Sequence, residues 1–377
     1  MIDLTNPDIM GPAPRYAGGS DGLSLLEMME RYGTPCMSVA LIDGFKLGDA
    51  VCFGHDDELQ FDKSTVFQAA SISKPVTAVA VLAAAERGLI GLDLPVNTQL
   101  ARWKIPGIGD LVTPRMLLSH VSGLGDNYIC TGYDPAGTVP TVTEVLDGKA
   151  PATNTPARVV RAPGQEYHYS NLGYVILGRL LTDVMGNTFE LLMKELVLGP
   201  CGMGDSTFGP PPVPDEMVAR GYDRNGRCFA TRWQYYPEQA AAGLWTTPTD
   251  LCRFAAEIQN VVAGKRSGVL SLVSARQMFM PYGVGDFSCG FRIVKHGMGW
   301  YASHRGSTQG YRCSLRLHTS KGYGMAVMCN GDNSEKVNDE VLFRIQRACD
   351  WDCNWRSVDA IPVGADIRAP HTGVEPS

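Results

Sequence analysis

The chain has 377 residues, 44% hydrophobic and 19% charged, the makeup of an ordinary globular protein long enough for one large domain or two interleaved ones. Its formal charge of -6 comes from scattered acids and bases, with no basic stripe to follow a phosphate backbone, so nucleic acid is not an expected partner. The best apolar run, Ala78 to Ala85, stops at Glu86-Arg87, short of the roughly 18 residues a span requires, so no membrane partner is expected either.

Residues 1–22 are rich in Gly, Pro and Asp and read as a flexible lead-in that lacks the basic and apolar regions of a secretory signal. The eleven cysteines are odd in number, dispersed and without a C-x-x-C pair, which fits reduced thiols and a cytoplasmic protein. Cys349 and Cys353 lie one helical turn apart, but with no histidine near them they read as small buried hydrophobes rather than metal ligands. Leu23 to Tyr32 has helical spacing, and Cys36 to Ile42 with Asp49 to Phe53 forms a hairpin around Asp43-Gly44. Ser71 to Arg87 is the clearest helix, apolar at 76, 79, 80, 83 and 84 and stopped by Gly88. Between 90 and 284, helical segments at 114–119, 172–185, 189–196 and 249–262 alternate with Gly/Pro-rich connections. Gly290 to Val294, Gly310 to Leu317 and Gly324 to Cys329 then read as strands, Lys336 to Cys349 as a closing helix, and 356–377 as a surface strap or disorder. The simplest assembly is an α+β fold: an antiparallel sheet flanked by helices, built from residues 23–89 and 285–355, with a mainly helical domain inserted at 90–284.

Three short motifs carry chemistry. In Ser71-Ile72-Ser73-Lys74 the serine and lysine are three apart and share a helix face, so the ammonium lies over the Ser71 hydroxyl, beside the amides and positive dipole of a helix start. Ser73 has no basic residue three or four positions on and reads as a packing or capping residue; a helix cap is equally the simple reading of either serine. A lysine charged at neutral pH cannot be the base, and Tyr169-Ser170-Asn171, just before a helix, supplies a tyrosine whose phenolate an adjacent ammonium would favour. The simple alternative is an interfacial Tyr beside an Asn helix cap. In WYASHRGSTQGYRCSLRL, residues 300–317, a His304-Arg305-Gly306 turn is expected to lead into a strand, with glycine letting a substrate lie against the strand edge. His304 would be the inward polar group, and the Ser307 amide a second oxyanion donor opposite that of Ser71. His371-Thr372-Gly373 sits in the tail with no strand after it and is set aside.

Ser71-x-x-Lys74, Tyr169-x-Asn171 and His304-x-Gly306, in this order and at these separations, resemble the serine β-lactamase/penicillin-binding superfamily. The likeness is to its class C-like branch, with family VIII carboxylesterases, DD-peptidases, D-amino-acid amidases and related acyltransferases. The stretches TPCMSVALIDG (34–44), LLSHVSGL (117–124), PGQEYHYSNLGYVILG (163–178) and AAGLWTTPTDLCRF (241–254) share in it. The resemblance implies an antiparallel sheet made from both termini beside an all-helical domain, with the active site in the cleft. It further implies an acyl-enzyme on Ser71, proton transfer by Tyr169 with Lys74, and an oxyanion held by the amides of Ser71 and Ser307. Asn171 would orient Lys74 and the substrate, and no metal or organic cofactor is required.

Where β-lactamases of this branch have Lys-Thr-Gly this chain has His304-Arg305-Gly306, which removes a usual partner of a substrate carboxylate; Arg305 could replace it only if it points inward, and strand alternation leaves that open. Tyr128, Trp233, Tyr235, Tyr236, Trp245 and Trp300 lie in segments that could wall the cleft or pack in the core. Gly18 to Gly22 fits the G-x-S-x-G elbow of another hydrolase fold but lacks the buried strand that must precede it. The expected partner is a small-molecule ester or amide, with esters first, D-amino-acid amides or peptides next and acyl transfer to another acceptor third. A silent binding module is the non-enzyme alternative. Oligomeric state is not legible in the residues.

Overall fold

The computed structural model describes residues 3–12, 22–54, 61–125, 130–265 and 268–352. Among the described residues eight strands fall in chain order: β1 (Cys36–Asp43), β2 (Lys46–Gly54), β3 (Phe67–Gln68), β4 (Trp245–Thr246), β5 (Arg292–His296), β6 (Gly299–Thr308), β7 (Tyr311–His318) and β8 (Gly324–Asn330). Six of them form one antiparallel sheet in the order β2-β1-β8-β7-β6-β5, so the first and last thirds of the chain meet at the β1–β8 pair. β3 and β4 make a separate two-stranded ribbon.

Both faces of the central strands are buried, and the period of two sorts their side chains. Met37, Val39, Leu41, Met325 and Val327 point to one side, onto helices Leu25–Arg31 and Glu335–Ala348. Ala40, Ile42, Ala326 and Met328 point to the other, into the main core with helices Ser73–Glu86 and Pro248–Val262. The helix Pro248–Val262 packs on β1, β2 and β8 although it lies within the stretch expected to form the inserted helical part. Arg344, 2% exposed, holds the start of the chain to this frame by donating to Glu340 Oε1 and to the carbonyls of Ile9, Gly11 and Leu23.

Several element boundaries differ from the expectation. The Ser71 helix is a 3-10 turn (Ala70–Ile72) followed by an α-helix from Ser73 to Glu86, with no side-chain cap on either segment. The segment expected to be one helix at 189–196 is a short α-turn, Phe189–Met193, that continues as a π-helix, Lys194–Leu198. The His304-Arg305-Gly306 tripeptide is not a turn at all: it lies well inside β6, which pairs with β5 over Gly299 to Ser303 and with β7 over Tyr301 to Thr308. Among the described residues no helix is long and apolar enough to cross a membrane.

Candidate active site

The helix Ser73–Glu86 is buried along nearly its whole length, and the turn at its head brings Ser71 to the surface of the core. The turn is under strain. Ala70 has φ +51, the left-handed region, at an expected cost of about 1 kcal/mol for a residue with a Cβ. Two neighbours hold it there. Ser73, fully buried, donates its hydroxyl to Ala70 O at 2.6 Å and accepts the Leu244 N–H at 3.0 Å. Across from it, a Cβ at Gly306 would collide with the carbonyl oxygen of Ala69, so glycine lets β6 close onto the turn itself rather than onto a substrate.

Lys74, 0% exposed, lies one turn beyond Ser71 on the same face. Its Nζ donates to Ser71 Oγ at 2.9 Å, to Asn171 Oδ1 at 2.7 Å and to the carbonyl of Ala241 at 2.9 Å. Three acceptors match the three hydrogens of an ammonium. Ser170, not Asn171, caps the helix Asn171–Met185, its Oγ accepting the Gly173 N–H at 3.2 Å, while Asn171 Oδ1 accepts from Lys74. The Tyr169 ring lies beside the same ammonium, 4.9 Å from Nζ to the ring centroid.

β6 forms the opposite wall. His304 and Gly306 share the face that meets the Ser71 turn, and Arg305 between them takes the other. His304 Nδ1 bonds to the Arg305 carbonyl at 2.7 Å, which fixes its proton on Nδ1. Nε2 is buried with no hydrogen-bond partner among the described residues. Burial, and then the Lys74 ammonium, push this imidazole down to about 3, so it is neutral through the physiological range. The β6–β7 hairpin closes at Thr308↔Tyr311 across a two-residue turn. Ladder bonds therefore fall on Thr308, Gly306 and His304, and the Ser307 amide is directed to the edge that β5 leaves open beyond Ser303. The Ser71 amide, in the first turn, has no intrahelical partner.

Ser71, Lys74, Tyr169, Asn171 and His304 thus come together, with Gly306 and Ser307 on the adjoining strand. Arg305 does not join them: it pairs with Asp339 at 2.6 Å and Glu335 at 3.3 Å on the helix across the far face of the sheet. Trp245 is 4% exposed and packed at right angles between Trp233 and Tyr311, so it belongs to the core rather than to a pocket wall. Tyr128, residues 18–21 of the G-x-S-x-G elbow and Cys353 lie outside the described residues. Three contributors had no residue-level signal: Ala241 acts through its backbone, Phe287 reaches the site from a loop before β5, and His120 packs beneath Tyr169. Among the described residues no group of three or more His, Cys, Asp or Glu is placed to hold a metal.

The chain matches the Beta-lactamase family over residues 25–349 and belongs to that family, one of serine hydrolases. Protein flp of Staphylococcus aureus (strain MW2) is 22% identical over 325 residues, covering 80% of this chain and 61% of that protein. Esterase EstB of Burkholderia gladioli is 33% identical over 159 residues, 39% of each chain. A putative penicillin-binding protein of Bacillus subtilis, PbpX, is 25% identical over 260 residues, and the chain spans 60% of its length. Among solved structures, the octameric penicillin-binding protein homologue from Pyrococcus abyssi superposes with a TM-score of 0.72 at 24% identity, over 86% of this chain and 76% of that one. The D-amino acid amidase from Ochrobactrum anthropi SV3 complexed with D-phenylalanine gives 0.71 at 20%, over 86% and 97%. At these identities the structural likeness establishes the fold: a mixed α/β chain with an antiparallel sheet flanked by helices.

Two outcomes follow from this geometry. Ser73→Ala strands the Leu244 N–H and releases the Ala70 carbonyl, and is expected to lower the unfolding free energy in urea by about 1–3 kcal/mol; wild-type stability would show that the strained turn needs no clamp. For His304, the folded value lies below the unfolded one, so the neutral form is favoured by folding. Its contribution is complete above about pH 6.5 and is lost as pH falls toward 3. His304→Asn is expected to flatten the fall of stability between pH 6 and 4 by about 1.4 kcal/mol per pH unit, read from urea melts at each pH.

Proposed function

We propose that the protein is a serine hydrolase that forms an acyl-enzyme on Ser71, with small carboxylic esters as its substrates. The observation that carries the reading is the Lys74 ammonium, buried and bonded at once to Ser71 Oγ, Asn171 Oδ1 and Ala241 O. An ammonium donating to Ser71 Oγ leaves the serine's own proton to go elsewhere, and it cannot accept that proton. Tyr169, whose ring lies against the same ammonium, is the acceptor: the positive charge favours its phenolate form.

In the first half-reaction Ser71 Oγ attacks the ester carbonyl as its proton passes to the Tyr169 oxygen. The oxyanion is held by the amides of Ser71 and Ser307, one from the head of the turn and one from the open edge of β6. Tyr169 returns the proton to the leaving alkoxide, and water, activated by the same phenolate, releases the acid. No step calls on a metal or organic cofactor.

Esters rank above β-lactams and peptides with a free carboxylate because neither sequence position available for a substrate carboxylate offers a cation. His304 is neutral, and Arg305 is turned onto Asp339 and Glu335. The relative named esterase EstB supports the same order. Hydrolysis of D-amino-acid amides or peptides, or acyl transfer to an alcohol or amine, uses the same acyl-enzyme and differs in what reaches the carbonyl.

The test is a panel of p-nitrophenyl esters, nitrocefin and D-alaninamide, with and without an alcohol acceptor. The short esters are expected to turn over fastest, Ser71→Ala to abolish turnover, and Tyr169→Phe to slow acylation by about 10²-fold. Preferred turnover of D-alaninamide or nitrocefin would move the assignment to amides, and near-normal rates in Tyr169→Phe would remove the tyrosine as base. Arg305→Ala is expected to keep kcat/KM for a neutral ester within about threefold, since a half-exposed ion pair on the far face of the sheet does not reach the carbonyl. A larger loss would place Arg305 in the site.

A further inference from the structure

A histidine that none of the steps above uses lies directly beneath the proposed base. His120 follows the short helix Pro114–Leu118, is 0% exposed, and holds a left-handed backbone with φ +59. It holds the segment around Tyr169 by three contacts. Its carbonyl accepts the His168 N–H at 2.8 Å, its Nδ1 accepts the Ser170 N–H at 3.1 Å, and its ring stacks on the Tyr169 ring with centroids 4.3 Å apart and planes 28° from parallel. The first two bonds take the peptide donors on either side of Tyr169, and the third contact covers a face of the phenol.

The chemistry of the ring restricts what can stand there. Because Nδ1 accepts, the proton of the neutral ring is on Nε2, and that atom is buried with no hydrogen-bond partner among the described residues. The rings of Phe287 and Tyr167 stand nearly perpendicular to it at 5.0 and 6.2 Å, and Tyr174 lies 5.4 Å away. An apolar ring would fill this space without an orphaned N–H, but it could not accept from Ser170. A protonated ring could not accept either, and it would add a second cation within the field of Lys74. Burial, with Lys74 second, holds His120 well below the ordinary histidine range, so the accepting form is the one present.

We infer that His120 is a positioning residue for Tyr169: it clamps the backbone on both sides of the tyrosine and seats its ring beside Lys74, so that the phenol oxygen is held for proton transfer with Ser71. The inference rests on the reading of Tyr169 as the base. Neutral His120 moves no proton and touches no substrate; its effect is on the rate of the step Tyr169 performs.

The experiment measures kcat and KM for p-nitrophenyl butyrate in His120→Phe and His120→Asn, each in the wild-type and the Tyr169→Phe backgrounds, with Tm recorded alongside. Phenylalanine keeps the stacked ring and loses the acceptor. Asparagine tolerates the left-handed backbone and keeps an acceptor near the position of Nδ1. His120→Phe is expected to lower kcat by about tenfold or more with KM within about twofold, the split expected when only the reacting geometry is disturbed. His120→Asn is expected to stay within about threefold of wild type, and neither change is expected to lower kcat further once Tyr169 is phenylalanine, because the two residues act as one unit. Wild-type kcat in His120→Phe, or equal losses in both backgrounds, overturns the inference. If His120→Phe does not fold, His120→Ala, which also lacks the acceptor, takes its place, and wild-type kcat in that variant overturns the inference. Wild-type kcat in Tyr169→Phe alone overturns instead the base assignment beneath it.

Discussion

The site depends on one buried cation. Desolvating an ammonium costs several kcal/mol, which hydrogen bonds from all its hydrogens offset, and here three elements supply the acceptors. Ser71 comes from the turn at the head of the same helix, Asn171 from the first residue of a second helix, and the Ala241 carbonyl from a short helix before β4. Each is held by its own local device. Ser73 fixes the turn, Ser170 caps the second helix in place of Asn171, and Thr77, one turn after Lys74, donates to the Ala240 carbonyl at 3.0 Å and keeps that backbone against the helix. Charge compensation and assembly of the site are therefore the same event.

A second constraint is the approach of β6 to the Ser71 turn. The sheet ends on β5, which pairs with only the first half of β6, so the second half presents unpaired amides along an edge. Gly306 allows the adjoining face of that half to close on Ala69 and Ala70, and the left-handed Ala70 turns Ser71 toward it. The strain at Ala70 is offset by the hydrogen bonds that secure it.

Much of this arrangement was legible in the residues because the proposed reaction needs particular side chains at particular spacings. Ser71 and Lys74 had to share a face, and a base other than lysine had to be found. What was not legible depends on phase and on backbone. Whether Arg305 faces in or out is decided by one residue of register in β6, and the pairing with Asp339 and Glu335 on a later helix settles it outward. His304-Arg305-Gly306 looked like a turn because glycine usually marks one, whereas this glycine is required by the close passage of Ala69. Trp245 looked available to a pocket because sequence gives no burial; Trp233 and Tyr311 enclose it. Ala241 contributes only a carbonyl, and no residue type announces that. The helix Pro248–Val262 has a wide apolar face that fits either a bundle or a sheet, and the small side chains of β1 and β8 beneath it decide for the sheet.

The central claim is that Ser71 is nucleophilic because the buried Lys74 ammonium and its partners hold it so. The most direct measurement is peptide mapping of the protein after reaction with a fluorophosphonate. One adduct per chain is expected, on the peptide that contains Ser71, absent in Ser71→Ala and strongly reduced in a folded Lys74→Met variant. Labelling of a different serine, or labelling of Ser71 that persists at the wild-type rate without Lys74, would contradict the account.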